Sequence, residues 1–184
     1  MRLAKDVFMV GSGQLRISNR MDCHIYLIDG GEELALIDSG AGVDIEYLYD
    51  NIRQDGFDPA EIKLVLLTHS HADHAGGCRE IRSRLGCKIL VPEFEEYMLE
   101  KEYVGMEILK RSGIYPPEYT FPHCNADRTI KDGETIIVGR HKLEAIQVPG
   151  HTKGSTCYLL KDDDLRILFS SDVVFVGGTI GLGN

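Results

Sequence analysis

The sequence predicts one domain of mixed α/β class, because two kinds of hydrophobic pattern alternate along it. In the first half, apolar runs of strand length are bounded mostly by glycine, aspartate or proline, and they cover residues 7–10, 25–28, 34–37, 64–67 and 89–91. Between the strands, helical spacing of apolar side chains occurs over residues 43–54 and 75–85, with Gly56 and Gly86 near the predicted ends.

The second half is richer in predicted strands. Residues 93–112 first space their apolar side chains as in an amphipathic helix, which Gly113 and the following prolines would end. Strand-like runs then follow at residues 135–138, 143–148, 156–160 and 165–169. The chain of 184 residues is long enough for one such domain with a substantial core.

Composition and charge narrow the class of protein. The formal net charge is −9 and no stretch gathers lysine and arginine, so we expect no nucleic-acid partner, although bound divalent cations could supply positive charge locally. No apolar run approaches the roughly eighteen residues of a membrane span, and residues 1–10 are too polar for a signal peptide. The five cysteines are scattered without a close pair, so we expect no disulfide framework and a cytoplasmic location.

A dense cluster of metal-binding residue types directly follows one predicted strand. The segment T-H-S-H-A-D-H contains His69, His71, Asp73 and His74. In an extended chain side chains alternate, so His69, His71 and Asp73 would project to one side, while His74 leaves that period as the chain turns into a helix. Imidazole and carboxylate suit zinc, iron or manganese, and two such ions about 3.5–4 Å apart can share one site. The cluster therefore predicts a metal site.

Three other loops follow predicted strands and carry further candidates. His151 lies in the glycine-punctuated loop V-P-G-H-T-K-G-S, and Asp172 lies in S-S-D after a later strand. Alone, each is typical of a turn or a solvated residue, but together with the histidine segment they complete the donor set of a dinuclear site. Asp38 ends an early strand; it either orients a metal-binding histidine or caps the following helix or closes a turn.

These motifs, in this order, resemble those of the metallo-β-lactamase superfamily, closest in style to its glyoxalase II-like hydrolases. The resemblance rests on L-I-D-S-G around Asp38, H-x-H-x-D-H at residues 69–74, G-H-T at residues 150–152 and S-D ending at Asp172. It implies an αββα sandwich with metal ions at one edge of the two sheets. It also implies two divalent ions, for which we expect zinc, with iron and manganese as alternatives.

The same resemblance implies a division of the ligands between the two ions. His69, His71 and His151 would hold the first ion. Asp73 and His74 would hold the second, and Asp172 would bridge the two. Three nitrogen donors leave the open position that a catalytic zinc uses.

One departure from the family concerns the second ion. The family usually supplies a later histidine and a final helix, and this sequence ends before either, so we expect a single domain over residues 1–184, truncated after Ser171 and Asp172, with the second metal site only partly occupied. Lys153 stands where proline is common. Three further histidines do not match the expected ligand, and we interpret them as structural or solvated: His24, His123 and His141.

The function that we expect is hydrolysis of an ester, thioester, lactone or amide by a metal-bound hydroxide. Asp73 would steer the hydroxide or carry a proton to the leaving group, with Asp38 in support. Two alternatives stay open. His69, His151 and Asp172 could hold a single iron, as in a persulfide dioxygenase-like oxygenase. The other alternative is a non-catalytic metal-binding fragment.

The partners that we expect are few. We expect a small-molecule substrate and no membrane, and the tyrosine-rich segment at residues 93–121 is the first candidate for a pocket wall, although an ordinary packed helix and loop explains it more simply. A homodimer stays open as well, because an incomplete sandwich would leave apolar sheet surface for a partner chain.

Overall fold

A computed structural model describes residues 1–101, 106–162, 166–175 and 177–181, which form two β-sheets with helices on one side. The larger sheet has seven strands in chain order: β1 (Arg2–Ala4), β2 (Val7–Gly11), β3 (Ile25–Asp29), β4 (Leu34–Ile37), β5 (Ile62–Leu66), β6 (Lys88–Pro92) and β7 (Arg128–Ile130). The smaller sheet has four: β8 (Thr135–Val138), β9 (His141–Gln147), β10 (Thr156–Lys161) and β11 (Arg166–Phe169), in the order β11-β10-β9-β8.

The helices are the crossovers of the larger sheet. Strands β1 to β4 pair antiparallel, whereas β4 to β7 pair parallel, and each parallel pair needs a crossover connection. The helices in these crossovers are α1 (Glu46–Gln54), α2 (Ala72–Ala75), α3 (Cys78–Leu85), α4 (Glu96–Glu100) and α5 (Met106–Arg111). None of the described helices is long and apolar enough to cross a membrane.

Alternation along the strands divides the core into two clusters. In β4, Leu34 and Leu36 pack in the cluster on the helix side, while Ala35 and Ile37 pack in the cluster between the two sheets. The described residues therefore form three layers, helix, sheet and sheet, of the predicted sandwich, and the mixed α/β class is confirmed. Ile137, on the outer face of the smaller sheet, is 53% exposed.

The predicted strands are present, except that Leu165 of the last one lies outside the described residues, whereas the helix boundaries differ from those predicted. Helix α1 begins three residues later than predicted, because Gly42 and Asp44 both have left-handed backbone angles. Most of the predicted helix at residues 75–85 is α3, which ends at Leu85 as predicted but begins at Cys78, because Gly76 and Gly77 separate it from α2. The predicted helix at residues 93–112 begins only after Phe94, which also has positive φ, and its residues 102–105 lie outside the described residues.

An ionic cluster joins the two sheets at the edge opposite to the C-terminal ends of β4 and β5. Arg140 Nη2 lies 2.9 Å from Asp6 Oδ2 and 3.5 Å from Asp29 Oδ2. His141 is buried; its Nε2 lies 3.3 Å from Asp6 Oδ2 and its Nδ1 lies 2.9 Å from Asp162 Oδ2. His141 begins β9 and is buried, so it is not a solvated residue.

The break between α2 and α3 is set by a close backbone approach. Gly77 N donates to the carbonyl oxygen of Gly40 at 3.0 Å, and a Cβ at position 77 would collide with the carbonyl oxygen of Ser39. Glycine at position 77 therefore lets the chain after the histidine segment lie against the loop that follows β4.

We predict that Gly77→Ala lowers the free energy of unfolding by about 1–3 kcal/mol, because the loop after β4 must shift to admit the methyl group. Urea unfolding followed by circular dichroism measures this change. Gly150→Ala is the matched control, since nothing lies within 4 Å of its added Cβ, and it should change the same quantity by less than about 0.5 kcal/mol. Equal stability of the two variants would contradict the prediction.

Candidate metal centre

Four strand ends meet at one edge of the two sheets. In the larger sheet, β4 and β5 are parallel neighbours, so Asp38 and His69, which follow them, emerge at the same edge. In the smaller sheet, β9 and β11 both run antiparallel to β10, so the loop of His151 and the turn of Asp172 also emerge together. The topology therefore brings the predicted donors from both sheets to one place.

Two hydrogen bonds join the sheets at this edge. Thr156 N, at the start of β10, donates to the carbonyl oxygen of Thr68 at 3.0 Å. The hydroxyl of buried Tyr158 donates to the carbonyl oxygen of Leu67 at 2.7 Å. Leu67 directly follows β5 and Thr68 is the first residue of the histidine segment, which is thereby fixed against the smaller sheet.

The first donor group consists of three imidazoles. His71 Nδ1 lies 3.0 Å from His69 Nε2 and 2.9 Å from His151 Nε2, and one nitrogen of each ring lies within 4.8 Å of the others. Such a set can hold one divalent ion and leave a position open.

The second donor group surrounds His74. Its Nε2 is buried without a hydrogen-bond partner, and carboxylate oxygens of Asp73 and Asp172 each lie 3.4 Å away. A nitrogen of His69 and an oxygen of Asp172 also lie within 4.8 Å of a His74 nitrogen. Asp172 Oδ2 is 3.5 Å from His151 Nε2, so this residue faces both groups. The structure thus brings the six predicted ligand residues together.

The local conformation of the histidine segment differs from the predicted alternation. Helix α2 begins at Ala72, with His71 at its N-cap and the carbonyl oxygen of His71 accepting from the amides of His74 and Ala75. Asp73 therefore lies in a helical turn and not on an extended chain with His69 and His71. The turn places Asp73 beside His74, in the second group.

Asp38 orients His74 and does not cap α1. Its Oδ2 lies 2.8 Å from His74 Nδ1, and its Oδ1 accepts from the amide of Thr68 at 2.8 Å. The residue before α1, Ile45, makes no side-chain cap. The contact leaves His74 Nε2 directed at the acidic neighbours, as is usual for a histidine prepared to bind a metal.

Electrostatics differ between the two groups. Burial, together with the imidazoles of His74 and His71, holds the pKa of His69 well below its ordinary value. Burial and the neighbouring His151 lower the pKa of His71 to about 4. Both rings are therefore neutral at pH 7, which is the form that binds metal ions.

The pKa of His74 moves the other way. Burial opposes its protonation, but Cys23, Asp73 and Asp38 raise its pKa well above the ordinary value. Although burial favours their neutral forms, His74 keeps the pKa values of Asp73 and Asp172 below the usual range. Negative charge is thus concentrated around one buried imidazole, and a divalent cation would satisfy the same electrostatic demand.

The sequence profile of the metallo-beta-lactamase superfamily matches residues 19–184. The chain belongs to the metallo-beta-lactamase superfamily. One relative is the acyl-coenzyme A thioesterase MBLAC2 of Gallus gallus. It is 28% identical to this chain, and the match covers 97% of this chain and 66% of the relative. A hydroxyacylglutathione hydrolase of Rhizobium etli is 28% identical over 64% of this chain and 36% of its own length. The chain therefore spans only part of both relatives, and both are hydrolases.

Solved structures of metallo-beta-lactamases share the fold. BJP-1, a subclass B3 metallo-beta-lactamase of Bradyrhizobium japonicum, superposes with a TM-score of 0.76 and 28% identity over 100% of this chain and 66% of its own. The class B3 di-zinc metallo-beta-lactamase LRA-12, from an Alaskan soil metagenome, gives a TM-score of 0.72 and 28% identity over 91% of this chain and 60% of its own.

Glu95 connects two loops of the candidate metal centre, and the sequence did not predict this role. Its carboxylate is 3% exposed and accepts from the amides of Ser70 at 3.0 Å and Gly154 at 2.8 Å. One buried side chain therefore connects the loop of His69 and His71 to the loop of His151. A glutamate at the start of a predicted amphipathic helix gave no indication of this role.

Among the described residues, the other three histidines belong to neither donor group; they are His24, His123 and His141. His24 lies just before β3, with its Nδ1 2.8 Å from Ser12 Oγ. His123 Nδ1 is 3.1 Å from the carbonyl oxygen of Leu99. These contacts, and the contacts of His141 with Asp6 and Asp162, are structural.

A cavity of about 630 Å³ opens onto the metal centre of this superfamily member. Four candidate ligand residues line it, and apolar and aromatic side chains also belong to its lining, among them Leu109, Ile114 and Tyr115. The four ligand residues are His71, Asp73, His151 and Asp172. Arg20 is the only lysine or arginine among the described residues that line it. The cavity therefore combines an apolar wall, one cation and the candidate metal ligands.

We predict that Glu95→Ala lowers both stability and metal affinity, because two buried backbone amides lose their acceptor and the two histidine loops lose their connection. The free energy of unfolding should fall by about 2 kcal/mol or more. Zinc affinity, measured by competition with a chelator, should fall about 10–100-fold.

Glu100→Ala is the matched control for this prediction. Glu100 Oε1 accepts from the amide of Ala126 at 2.9 Å, which is a similar contact outside the metal centre. The control should lose stability and keep its zinc affinity. If both variants bound zinc as tightly as the unmodified protein, Glu95 would have no part in the metal centre.

Proposed function

We propose that this chain hydrolyses thioesters at the two donor groups, using water activated by divalent metal ions, with zinc as the expected metal. The observation that carries the proposal is the convergence of three imidazoles and the acidic His74 group beside one cavity. His69, His71 and His151 would hold one ion. His74, with Asp73 and Asp172, would hold the other.

The residues fit a metal because the buried Nε2 of His74 has no hydrogen-bond partner and lies between two carboxylates. A bound zinc ion supplies two things: it lowers the pKa of a coordinated water from 15.7 to about 7, and it polarises a carbonyl oxygen. The protein itself would hold the donor groups in place and transfer the proton of the attacking water.

Asp73 is the residue that we assign to proton transfer. Its side chain lines the cavity and is 36% exposed, with Oδ1 accepting from the hydroxyl of Tyr115 at 3.4 Å. Because its pKa is lowered, the carboxylate is ionised at neutral pH and can accept the proton of the attacking water. Asp73 would then give this proton to the leaving sulfur atom, which departs as a thiol. Asp38 supports it by orienting His74.

The cavity favours a thioester with an apolar acyl group and an anionic carrier. Leu109 and Ile114 offer a wall for a hydrocarbon chain, and Arg20 offers a partner for a carboxylate or phosphate of the carrier. The two relatives reported above are named for acyl-coenzyme A and hydroxyacylglutathione. Coenzyme A and glutathione are both anionic thiols, and acyl-coenzyme A is the class that we test first.

We predict that His71→Ala loses one metal ion per chain and at least about 10³-fold in kcat/KM with an acyl-coenzyme A. A metal contributes several kcal/mol to the stabilisation of the transition state, and each 1.36 kcal/mol is a factor of ten in rate. Elemental analysis and a free-thiol assay measure the two effects.

His123→Ala is the matched control, because His123 contacts the carbonyl oxygen of Leu99 outside the centre. It should keep its metal content and activity. A purified protein without any transition metal, or a His71→Ala variant with full activity, would overturn the proposed function. Oxygen uptake by the iron-loaded protein with a persulfide substrate would instead support the mononuclear iron alternative.

We predict that Arg20→Ala raises the KM for an acyl-coenzyme A about 10-fold, since a charged hydrogen bond contributes about 1.5–3 kcal/mol and this one is open to solvent screening. The KM for an uncharged acyl thioester should not change. Arg16→Ala is the control, because Arg16 lies in the same loop but does not line the cavity. An equal rise for both substrates would show that Arg20 does not select the anionic carrier.

A further inference from the structure

Cys23 lies beside the second donor group, although the sequence analysis gave it no role. Its sulfur, a carboxylate oxygen of Asp38 and a ring nitrogen of His74 lie within 4.8 Å of one another, and the three groups are buried. The backbone fixes this position, because the amide of Cys23 donates to the carbonyl oxygen of Asp73 at 3.1 Å. The loop before β3 is thereby attached to the turn that carries His74.

A second, independent observation points to a ligand at this position. Nε2 of His74 is buried without a hydrogen-bond partner, while oxygens of Asp73 and Asp172 lie 3.4 Å from it. A cavity of about 490 Å³ is lined by all three of these residues and by Cys23. Cys23 and His74 therefore border the same cavity.

The second donor group has one ligand fewer than a zinc ion usually has, and the sulfur of Cys23 can supply it. A divalent zinc ion in a protein usually has four ligands, and His74, Asp73 and Asp172 supply three. Asp38 is already engaged, because its two oxygens contact Thr68 and His74. Within the described ranges, the other four cysteines belong to no group that could hold a metal.

We propose that Cys23 binds the second metal ion through its sulfur, together with His74, Asp73 and Asp172. The coordinated sulfur is a thiolate, so the ion displaces the thiol proton to solvent when the metal–sulfur bond forms. This proposal rests on the metal-binding part of the proposed function. A sulfur donor makes the second site softer than the first, which favours zinc over manganese or magnesium there.

The test uses cobalt(II) in place of zinc in the full chain. After removal of metal with a chelator, the protein is titrated with cobalt(II) and its near-ultraviolet absorption is recorded. We expect a sulfur-to-cobalt charge-transfer band in the unmodified protein, and its loss in Cys23→Ser. The affinity for the second ion should also fall at least about 10-fold in the variant.

Cys87→Ala is the matched control, because Cys87 is buried in the cluster on the helix side of the larger sheet. It should keep the band. Zinc X-ray absorption of the unmodified protein is a second readout that needs no variant, and it should show one sulfur per two zinc ions at about 2.3 Å.

The failures of the two proposals are distinguishable. A chain that binds two ions without a charge-transfer band, or a Cys23→Ser variant that keeps the band, overturns the role of Cys23 and leaves the proposed function standing. A chain that binds no metal overturns both. If Cys23→Ser did not fold, absence of sulfur from the zinc absorption spectrum of the unmodified protein would still overturn the proposal.

Discussion

The candidate metal centre depends on the junction between β5 and β10. Tyr158 is fully buried between the sheets, and its hydroxyl binds the carbonyl oxygen of Leu67 at 2.7 Å, one residue beyond the end of β5. With the adjacent bond from Thr156 N to the carbonyl oxygen of Thr68, it fixes where the histidine segment leaves the larger sheet. The loop of His151 directly precedes Thr156, so the same hydrogen bond brings the donors of the two sheets close together. Buried backbone hydrogen bonds of this kind are costly to break, which keeps the geometry rigid.

Charge explains why so many polar groups are tolerated in a buried region. The three imidazoles of the first group are close together, and burial keeps His69 and His71 neutral. The carboxylates near His74 need a positive charge, and a single protonated imidazole supplies only part of it. A site with this imbalance is better suited to cations than to a purely structural hydrogen-bond network. This is the physical basis of the proposal that two divalent ions bind here.

Much of the fold and of the candidate site could be predicted from the sequence, because both rest on strong patterns. Strands such as β4 alternate between two buried faces and therefore appear as continuous apolar runs. Histidines and aspartates at strand ends are rare enough to indicate metal binding, and the predicted residues lie together, while their roles stay predictions. Strand β7 was missed because Arg128–Ile130 is short and mostly polar. Glu95 and Cys23 were missed because their importance depends on distant contacts that no local pattern records.

The two edges of the sandwich are fastened by different forces. At the metal edge, the hydroxyl of Tyr158 makes a buried hydrogen bond to a backbone carbonyl oxygen, whereas the opposite edge also carries ion pairs of Arg140, which is 48% exposed, with Asp6 and Asp29. Dissolved salt screens exposed ion pairs much more than buried neutral hydrogen bonds. Rising ionic strength therefore weakens the attachment of the sheets at the end remote from the donors, and the donors keep their spacing.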